Sequence, residues 1–203
     1  MNSVTIIETG LANVASVSAA FRRLEVPVQT TRSVDAIENE RYVVLPGVGC
    51  FGAGMQTLGD LGMVDAIKRR VQMNYPTLAI CLGLQLLCDH SDESPGFNGL
   101  GCIKGAVQAF PTSVTSPQFG WNWIANENTS VLGDGGFVYY ANSYRLSTPP
   151  LNWQHGWSEH GGAFVGCLQR GEVVACQFHP ELSGSYGSEI LSAWLKGGSE
   201  ETC

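Results

Sequence analysis

The sequence predicts an α/β fold, with a mostly parallel sheet, helices on both faces, and antiparallel strands added in the second half. Three observations support this prediction. Before about residue 95, short apolar runs of strand type alternate with segments of helical spacing, which is typical of a parallel sheet joined by right-handed crossovers. After that point, short strand-like runs are separated by Gly, Pro and Asn, as in antiparallel sheets. A charged fraction of only 14% with 25 glycines also suits a well-buried protein with many tight turns.

Four strands and four helices are predicted in the first half. Asn13 is a good N-cap, and apolar residues recur at helical spacing from there to Leu24. The helix over 63–73 carries three consecutive basic residues, Lys68, Arg69 and Arg70, which are expected to face largely outward. The predicted strands are 4–7, 26–30, 42–45 and 77–80, and the predicted helices are 13–24, 34–39, 63–73 and 82–89.

Five short strands and one helix are predicted in the second half. Trp121 and Trp123 alternate with Asn122 as in a half-buried strand, so both tryptophans are expected to pack in the core. No linker divides the chain, so we expect one domain over 1–198, with a frayed tail at 199–203. The predicted strands are 106–110, 121–124, 137–140, 164–168 and 173–178, and the helix over 189–196 is expected to bury Ile190, Leu191, Trp194 and Leu195.

Composition argues against several classes of protein. The net charge of −7 disfavours a nucleic-acid surface and a polybasic membrane contact. No apolar stretch approaches the roughly 18 residues of a membrane span, and the run at 4–7 is too short for a signal peptide, so a cytoplasmic protein is expected. The seven cysteines lack the paired short spacings of zinc sites and disulfide scaffolds, which indicates free thiols in a reducing compartment.

A cysteine stands at the turn between a predicted strand and a predicted helix. The apolar strand runs to Ile80 and the helix begins at Leu82, so Cys81 occupies a turn of the nucleophile-elbow type. The N-terminal end of a helix favours a thiolate, which makes Cys81 more reactive than a packed cysteine. Gln85 lies one helical turn further on and shares a face with the thiol. The alternative is that Cys81 is a small buried apolar residue.

A histidine and a glutamate follow the last predicted strand. Pro180 keeps His179 extended, so the side chains of His179 and Glu181 point the same way, and the carboxylate can accept the proton of one ring nitrogen. The other ring nitrogen is then left to face Cys81, which gives a nucleophile, a base and an orienting carboxylate. The alternative is a solvated surface turn. Ligand sites of open α/β sheets lie at the carboxyl ends of the strands, and the loops expected there are 8–13, 46–50, 81–82 and the residues after 178.

Three spaced motifs resemble the triad-type, class I glutamine amidotransferases. They are Cys-Leu-Gly-Leu-Gln at 81–85, Gln-Phe-His-Pro-Glu at 177–181, and a Pro-Gly loop at 46–49. The resemblance covers nearly the whole chain in the right order and implies a flavodoxin-like fold. Within the family, the segments 46–51 and 119–122 are most similar to the glutaminase subunits that serve imidazole glycerol phosphate synthases in histidine biosynthesis. The Pro-Gly-Pro-Gly loop usual in anthranilate-type relatives is absent.

The resemblance implies an activity, a partner and a set of site residues. The activity is hydrolysis of L-glutamine to glutamate and ammonia through a Cys81 thioester, with no cofactor and no metal. The ammonia would pass to a (β/α)8 barrel synthase that docks near 8–13 in a heterodimer. The implied residues are Cys81 as nucleophile, His179 as base and acid, and Glu181 as orienter; Val48 or Gly49, with Leu82, as oxyanion donors; and Gln85, Asn142, Ser143 and Tyr144 as contacts of the amino-acid end of glutamine.

Some positions depart from the family pattern, and other readings stay open. Ala79 replaces the usual Gly before the nucleophile, Asn142 stands where His is common, and Leu182 stands where Lys is usual. The same chemistry serving another synthase, of the anthranilate or pyridoxal phosphate type, is one alternative. A non-catalytic flavodoxin-like binding module with an inert cysteine is another.

Three further candidates weigh less. A metal site at His155, Glu159 and His160 is disfavoured because these residues lack helical spacing. A phosphate site in the Gly-rich loop 47–54 is disfavoured because the loop lacks the Gly-Lys-Ser/Thr ending. His90 is expected at the end of a helix.

Overall fold

The computed structural model describes residues 3–197 of the chain. In chain order the elements are β1 (Val4–Ile7), α1 (Val14–Arg23), β2 (Val28–Thr31), α2 (Val34–Asn39), β3 (Tyr42–Gly47), α3 (Phe51–Asp60), α4 (Val64–Gln72), β4 (Thr77–Cys81), α5 (Leu82–Leu87), β5 (Cys88–Ser91), β6 (Ile103–Ala109), β7 (Gln118–Asn126), β8 (Gly136–Asn142), β9 (Tyr144–Leu146), β10 (Gln154–Glu159), β11 (Ala163–Arg170), β12 (Val173–Cys176), a 3₁₀ turn (Pro180–Leu182) and α6 (Gly184–Gly197).

A nine-stranded mixed sheet runs through the molecule in the order β2-β1-β3-β4-β12-β11-β10-β7-β8. The pairs from β2 to β12 are parallel, and those from β12 to β8 are antiparallel. A separate three-stranded sheet has the order β5-β6-β9. The predicted fold class is therefore confirmed, with one correction. The strand predicted at 173–178 as antiparallel pairs antiparallel with β11 but parallel with β4, so it closes the parallel part of the sheet.

Helices cover both faces of the parallel strands, as predicted. Consecutive residues of a strand point to opposite faces, so Val44 and Leu45 belong to two different hydrophobic clusters. One cluster contains residues of α2, α3, α4 and α5, and the other contains Phe21 of α1 and Trp194 of α6. Asn13 caps α1 through its side chain, which accepts a hydrogen bond from the Ser16 N–H.

The structure corrects the prediction of a loop at 47–54, because a helix, α3, begins at Phe51. Its glycines lower the helical signal of the sequence. Close packing explains one of them, since a Cβ at Gly54 would lie 2.9 Å from Leu86 Cδ2 of α5. The glycine therefore lets α3 approach the helix that follows Cys81.

The helix predicted at 82–89 is also shorter than expected. It ends at Leu87, and Cys88–Ser91 forms β5, which pairs with β6. His90 therefore lies in a strand and not at a helix end. Two further strands, β9 and β10, were not predicted. The polar residues of β10 form a strand because β11 and β7 pair with its two edges.

Four predictions of burial or exposure are wrong or only partly right. Trp121 and Trp123 are 58% and 46% exposed, because β7 turns Ile124 and Gln118 inward instead. Leu195 is only partly buried. Arg70, expected to face outward, is 2% exposed, and its guanidinium donates hydrogen bonds to the carbonyls of Ile37, Glu40, Arg41 and Pro76. Burial lowers the pKa of Arg70 to about 10.

The division of the chain was predicted as one domain over 1–198, and this stays a prediction. The tail predicted to fray at 199–203 lies outside the described residues. Within residues 3–197, no helix has the length and apolar character needed to span a bilayer.

Candidate active site

A cavity of about 340 Å³ opens at the carboxyl ends of the central strands β3, β4 and β12. All the predicted site residues except Glu181 line it, and Glu181 touches the lining residue His179. Glu93, Phe119 and Ala141 line it as well and were not predicted as site residues. The complete lining is Val48, Gly49, Cys81, Leu82, Gln85, Glu93, Phe119, Ala141, Asn142, Ser143, Tyr144 and His179.

Cys81 occupies the predicted strand-to-helix turn in a strained conformation. Its φ is 54° and its ψ is −108°, which only glycine adopts easily. The turn is tight because α5 starts directly against β3. A Cβ at Gly83 would lie 2.1 Å from the Leu45 carbonyl oxygen, so only glycine fits there. The thiol is 6% exposed and reaches the cavity from its floor.

His179 and Glu181 form the predicted contact. The ring Nδ1 lies 2.8 Å from Glu181 Oε1, and both residues are buried. The backbone holds the histidine in place, because its N–H donates to the Tyr139 carbonyl (2.9 Å) and its carbonyl accepts from the Ser183 hydroxyl (2.6 Å). With Nδ1 on the carboxylate, Nε2 is left for the thiol of Cys81.

The electrostatics of the site keep His179 protonated at neutral pH. Burial alone lowers the pKa of His179, but hydrogen bonds to Cys81 and Glu181 and the charges of both groups raise it. The net result is a rise from 6.5 to about 10. A protonated ring beside the sulfur is the state that can deliver a proton to a leaving group.

Two buried amides connect the cavity wall to the sulfur. Gln85 Nε2 donates to the Tyr144 carbonyl (3.2 Å) and to Gln177 Oε1 (3.0 Å). Gln177 Nε2 in turn lies 3.8 Å from Cys81 Sγ. Asn142 Nδ2 also donates to the Tyr144 carbonyl, whereas its Oδ1 is buried with no partner among residues 3–197.

The Pro-Gly loop after β3 lies beside Cys81, because Gly47 is the register partner of Cys81 in the paired strands β3 and β4. Val48 is 41% exposed, and its N–H donates to the Leu11 carbonyl at 2.7 Å. Gly49 has a φ of 101°, which a side chain would disfavour. The loop that leaves β1 and the loop that leaves β3 are therefore connected by a hydrogen bond at the edge of the site.

Glu93 is a site residue that sequence reasoning missed. Its Oε2 accepts a hydrogen bond from the Phe51 N–H at the start of α3 (2.6 Å). The sequence could not indicate a role for Glu93, because neither α3 nor β5, the strand that precedes Glu93, was predicted. Glu93 brings a carboxylate to a cavity that otherwise presents neutral groups and the His179 ring.

The other candidate residues do not converge on a site. The ring of His155 packs edge-on against Trp157, and His160 Nε2 lies 2.8 Å from the Thr115 carbonyl. In the described part of the chain, no group of three or more His, Cys, Asp or Glu side chains has the arrangement of a metal site.

Comparison with known proteins agrees with this geometry. Residues 5–196 match the family "Glutamine amidotransferase class-I". The subunit HisH of imidazole glycerol phosphate synthase from Aquifex aeolicus is 38% identical over 191 residues, which cover 92% of each chain. The HisH subunit from Geobacillus thermodenitrificans is 36% identical, with 96% of each chain covered.

A longer relative and a solved structure extend the comparison. The chloroplastic imidazole glycerol phosphate synthase hisHF of Arabidopsis thaliana is 36% identical over 199 residues, and the chain spans only 34% of that protein. A solved structure described as a glutamine amidotransferase superposes with a TM-score of 0.79 at 16% identity, covering 98% of this chain and 100% of the other. That likeness shows the fold alone. The family match, together with the identity and near-complete coverage of the HisH relatives, establishes that the chain belongs to the class I glutamine amidotransferases and is a glutaminase.

Proposed function

We propose that this glutaminase hydrolyses L-glutamine through a thioester on Cys81 and delivers the ammonia to a synthase subunit that makes imidazole glycerol phosphate. The observation that carries the proposal is that a strained cysteine, a histidine with a raised pKa and a buried carboxylate meet at one cavity. The HisH names of the relatives support the choice of synthase.

Each step of the reaction assigns a role to a named group. The Cys81 sulfur attacks the side-chain amide carbon of glutamine, and a tetrahedral oxyanion forms. His179 Nε2 gives its proton to the nitrogen, and ammonia leaves as the C–N bond breaks. The neutral ring then takes a proton from water, which attacks the thioester carbon and releases glutamate and the sulfur. Glu181 holds the ring with Nε2 directed at the reacting groups in both steps.

The cavity wall offers groups for the amino-acid end of glutamine. The carboxylate of Glu93 suits the α-ammonium group of the substrate. Asn142 Oδ1, which has no partner among residues 3–197, is an available acceptor beside it. Gln85, Ser143 and the backbone of Tyr144 complete the set of polar contacts.

The second oxyanion donor is proposed to be the Gly49 N–H, with that of Leu82 as the first. The Val48 N–H is engaged by the Leu11 carbonyl, which leaves Gly49 of the two alternatives. Leu11 belongs to the loop 8–13, where the partner is expected to dock. A partner that displaces Leu11 would therefore change the conformation of the loop that supplies an oxyanion donor.

A line of exposed aromatic rings supports a docking face that adjoins the cavity. We call Phe119, Trp121, Trp123 and Phe137 the aromatic strip. They are 71%, 58%, 46% and 58% exposed and lie on one face of β7 and β8. Large exposed apolar patches mark interaction sites, and Phe119 also lines the cavity. The synthase, of (β/α)8 barrel architecture in the resemblance, is proposed to cover the strip and loop 8–13 in a heterodimer within the cytoplasm.

Comparing two nitrogen sources tests this function. The complex with an imidazole glycerol phosphate synthase subunit is assayed with glutamine and with ammonium salt. Cys81→Ala should abolish glutamine-dependent synthesis and leave ammonia-dependent synthesis unchanged, because only the nitrogen source is lost. Equal loss of both activities would contradict the assignment of Cys81. A wild-type complex that fails to use glutamine with this synthase, yet hydrolyses it, would redirect the proposal to another partner enzyme.

A further inference from the structure

Gln177 is a fully buried amide whose position in the site has a specific chemical meaning. It follows β12 directly, and its side chain lies between Gln85 and Cys81. Because none of its surface reaches solvent, both ends of the amide must find partners inside the protein. Those partners fix which end of the amide faces the sulfur.

A backbone carbonyl sets the direction of the whole chain of amides. The Tyr144 carbonyl can only accept, so the end of Gln85 that meets it must be the NH₂ group. The same NH₂ group contacts Gln177, which must therefore present its oxygen to Gln85. The NH₂ group of Gln177 is then directed at Cys81 Sγ, 3.8 Å away. The opposite orientation would place two donors against each other at Gln85.

A donor at that position acts on the charge of the sulfur. The Ala141 carbonyl is another polar neighbour, 4.0 Å from Sγ, and it can only accept from a thiol. A thiolate gains from the Gln177 donor and gains nothing from the carbonyl. The Gln177 amide, which is not part of the cavity lining, therefore favours the anionic form of the sulfur. The Ala141 carbonyl favours the thiol, so the two groups compete for the sulfur.

We propose that Gln177 is a hydrogen-bond donor to the nucleophile, and that Gln85 and the Tyr144 carbonyl act through it as positioning groups. This inference rests on the proposed function for its meaning in catalysis. It also connects two parts of the site. Gln85 and Tyr144, which are proposed to contact the amino-acid end of glutamine, also orient the Gln177 amide that donates to the sulfur.

The test measures the sulfur directly, without glutamine. Iodoacetamide alkylates Cys81 as the sulfur displaces iodide, and peptide mass spectrometry separates Cys81 from the exposed Cys50. The rate is measured against pH for the wild type and for Gln177→Met, which keeps the length of the side chain and removes the donor. Gln169→Met is the matched control, because Gln169 is also buried and hydrogen-bonded, to Ser130 and Gly171, outside the cavity lining.

The expected result is a shift of the alkylation profile toward higher pH in Gln177→Met by about one unit, with about a tenfold lower rate at neutral pH, since a hydrogen bond to an ionised group is lost. Glutamine hydrolysis should show a similar fall in kcat and a smaller change in KM. Gln169→Met should leave both measurements at the wild-type values. Gln85→Met should move the profile in the same direction but less, because the Gln177 amide is freed to rotate.

Several outcomes separate the possibilities. If Gln177→Met alkylates with the same pH profile as Gln169→Met, the inference is wrong, whatever the glutaminase activity. If Gln177→Met does not fold, Gln85→Met decides, and an unchanged profile there would also overturn the proposal. If the profile of Gln177→Met is shifted but the wild-type protein does not hydrolyse glutamine, the role of Gln177 is kept and the proposed function is contradicted.

Discussion

Every residue of β1, β3, β4 and β12 is buried, whereas β7 and β8 alternate between buried and exposed residues along their length. The outward face of this β7–β8 pair is not polar, as it usually is in antiparallel sheets, but carries the aromatic strip. Burial on both faces suits strands that must hold a cavity floor rigidly. An exposed aromatic face suits an encounter with another surface. The comparison separates stability and chemistry from recognition.

The largest expected effect is at the end of the buried strands. His179→Ala should lower glutamine hydrolysis by about 10²- to 10⁴-fold, because the general acid and base is lost. Glu181→Gln should be milder, since it misorients the ring without removing it. Steady-state assays give the rates, and binding to the synthase should stay at the wild-type level in both variants. Loss of partner binding in His179→Ala would break the separation between chemistry and recognition.

The next prediction concerns the Pro-Gly loop after β3, which lines the cavity and is hydrogen-bonded to loop 8–13, where the partner is proposed to dock. The isolated chain should hydrolyse glutamine slowly, and a bound synthase with a substrate analogue should raise the rate by about 10²- to 10³-fold, the value of one oxyanion donor. Gly49→Ala, which restricts a residue now at a φ of 101°, should change this ratio more than the unfolding midpoint. Glutaminase assays with and without the partner measure it. A fast isolated chain, indifferent to the partner, would show that the oxyanion hole is already complete.

The recognition side is tested on the aromatic strip. Trp121→Ser should weaken binding to the synthase by about 30-fold or more, as loss of an aromatic anchor at an interface does. Basal glutaminase activity and the unfolding midpoint should stay unchanged. Met73→Ser is the control, because Met73 is similarly exposed (59%) but lies between α4 and β4, outside the cavity lining and the aromatic strip. Equal binding by the two variants, measured by calorimetry, would remove the strip from the docking face.

The stability side is tested on two adjacent arginines of α4. Arg70→Met should lower the free energy of unfolding by at least about 2 kcal/mol, because several buried carbonyls lose their donor. Arg69→Met removes only an exposed ion pair with Glu38 and should cost about 1 kcal/mol or less. Urea denaturation of both gives the comparison. Similar losses would mean that the buried guanidinium is no more important than a surface charge.

The last prediction is a dependence of stability on pH. The pKa of His179 rises from 6.5 to about 10 on folding, so protonation of the ring stabilises the native state. This contribution is complete below about pH 6.5 and is lost as the pH rises through about 10. The difference in unfolding free energy between the wild type and His179→Gln should therefore shrink over that range. A difference that grows with pH would reverse the sign of the coupling.

The buried strands were predictable because position and composition agree in them. The short apolar runs of β1, β3 and β4 permit little else, and α2 was predicted at its observed bounds. In β7 the alternation predicted two faces, but both carry apolar residues. The face with more aromatic rings was taken as the core, whereas the core in fact receives Ile124. A single sequence does not distinguish a core face from an exposed face that carries aromatic rings.

Arg70 and Glu93 are polar residues whose positions in the structure were not predicted from the sequence. Charge predicts exposure for Arg70, and nothing local reveals that backbone carbonyls just before β3 and β4 accept hydrogen bonds from its guanidinium. Cys81, His179 and Glu181 were found because their motifs carry their own geometry. Glu93 reaches the cavity only through β5 and α3, whose formation depends on contacts distant in sequence.

The conformation of Cys81 has a consequence for how this protein can be improved. A non-glycine residue at a φ of 54° is strained by about 1–3 kcal/mol. Cys81→Gly would relax the backbone at this turn and should raise the melting temperature while ending the chemistry. Selection for thermal stability alone would therefore drive the chain toward an inactive sequence at this position, and any stabilisation screen needs activity as a second criterion.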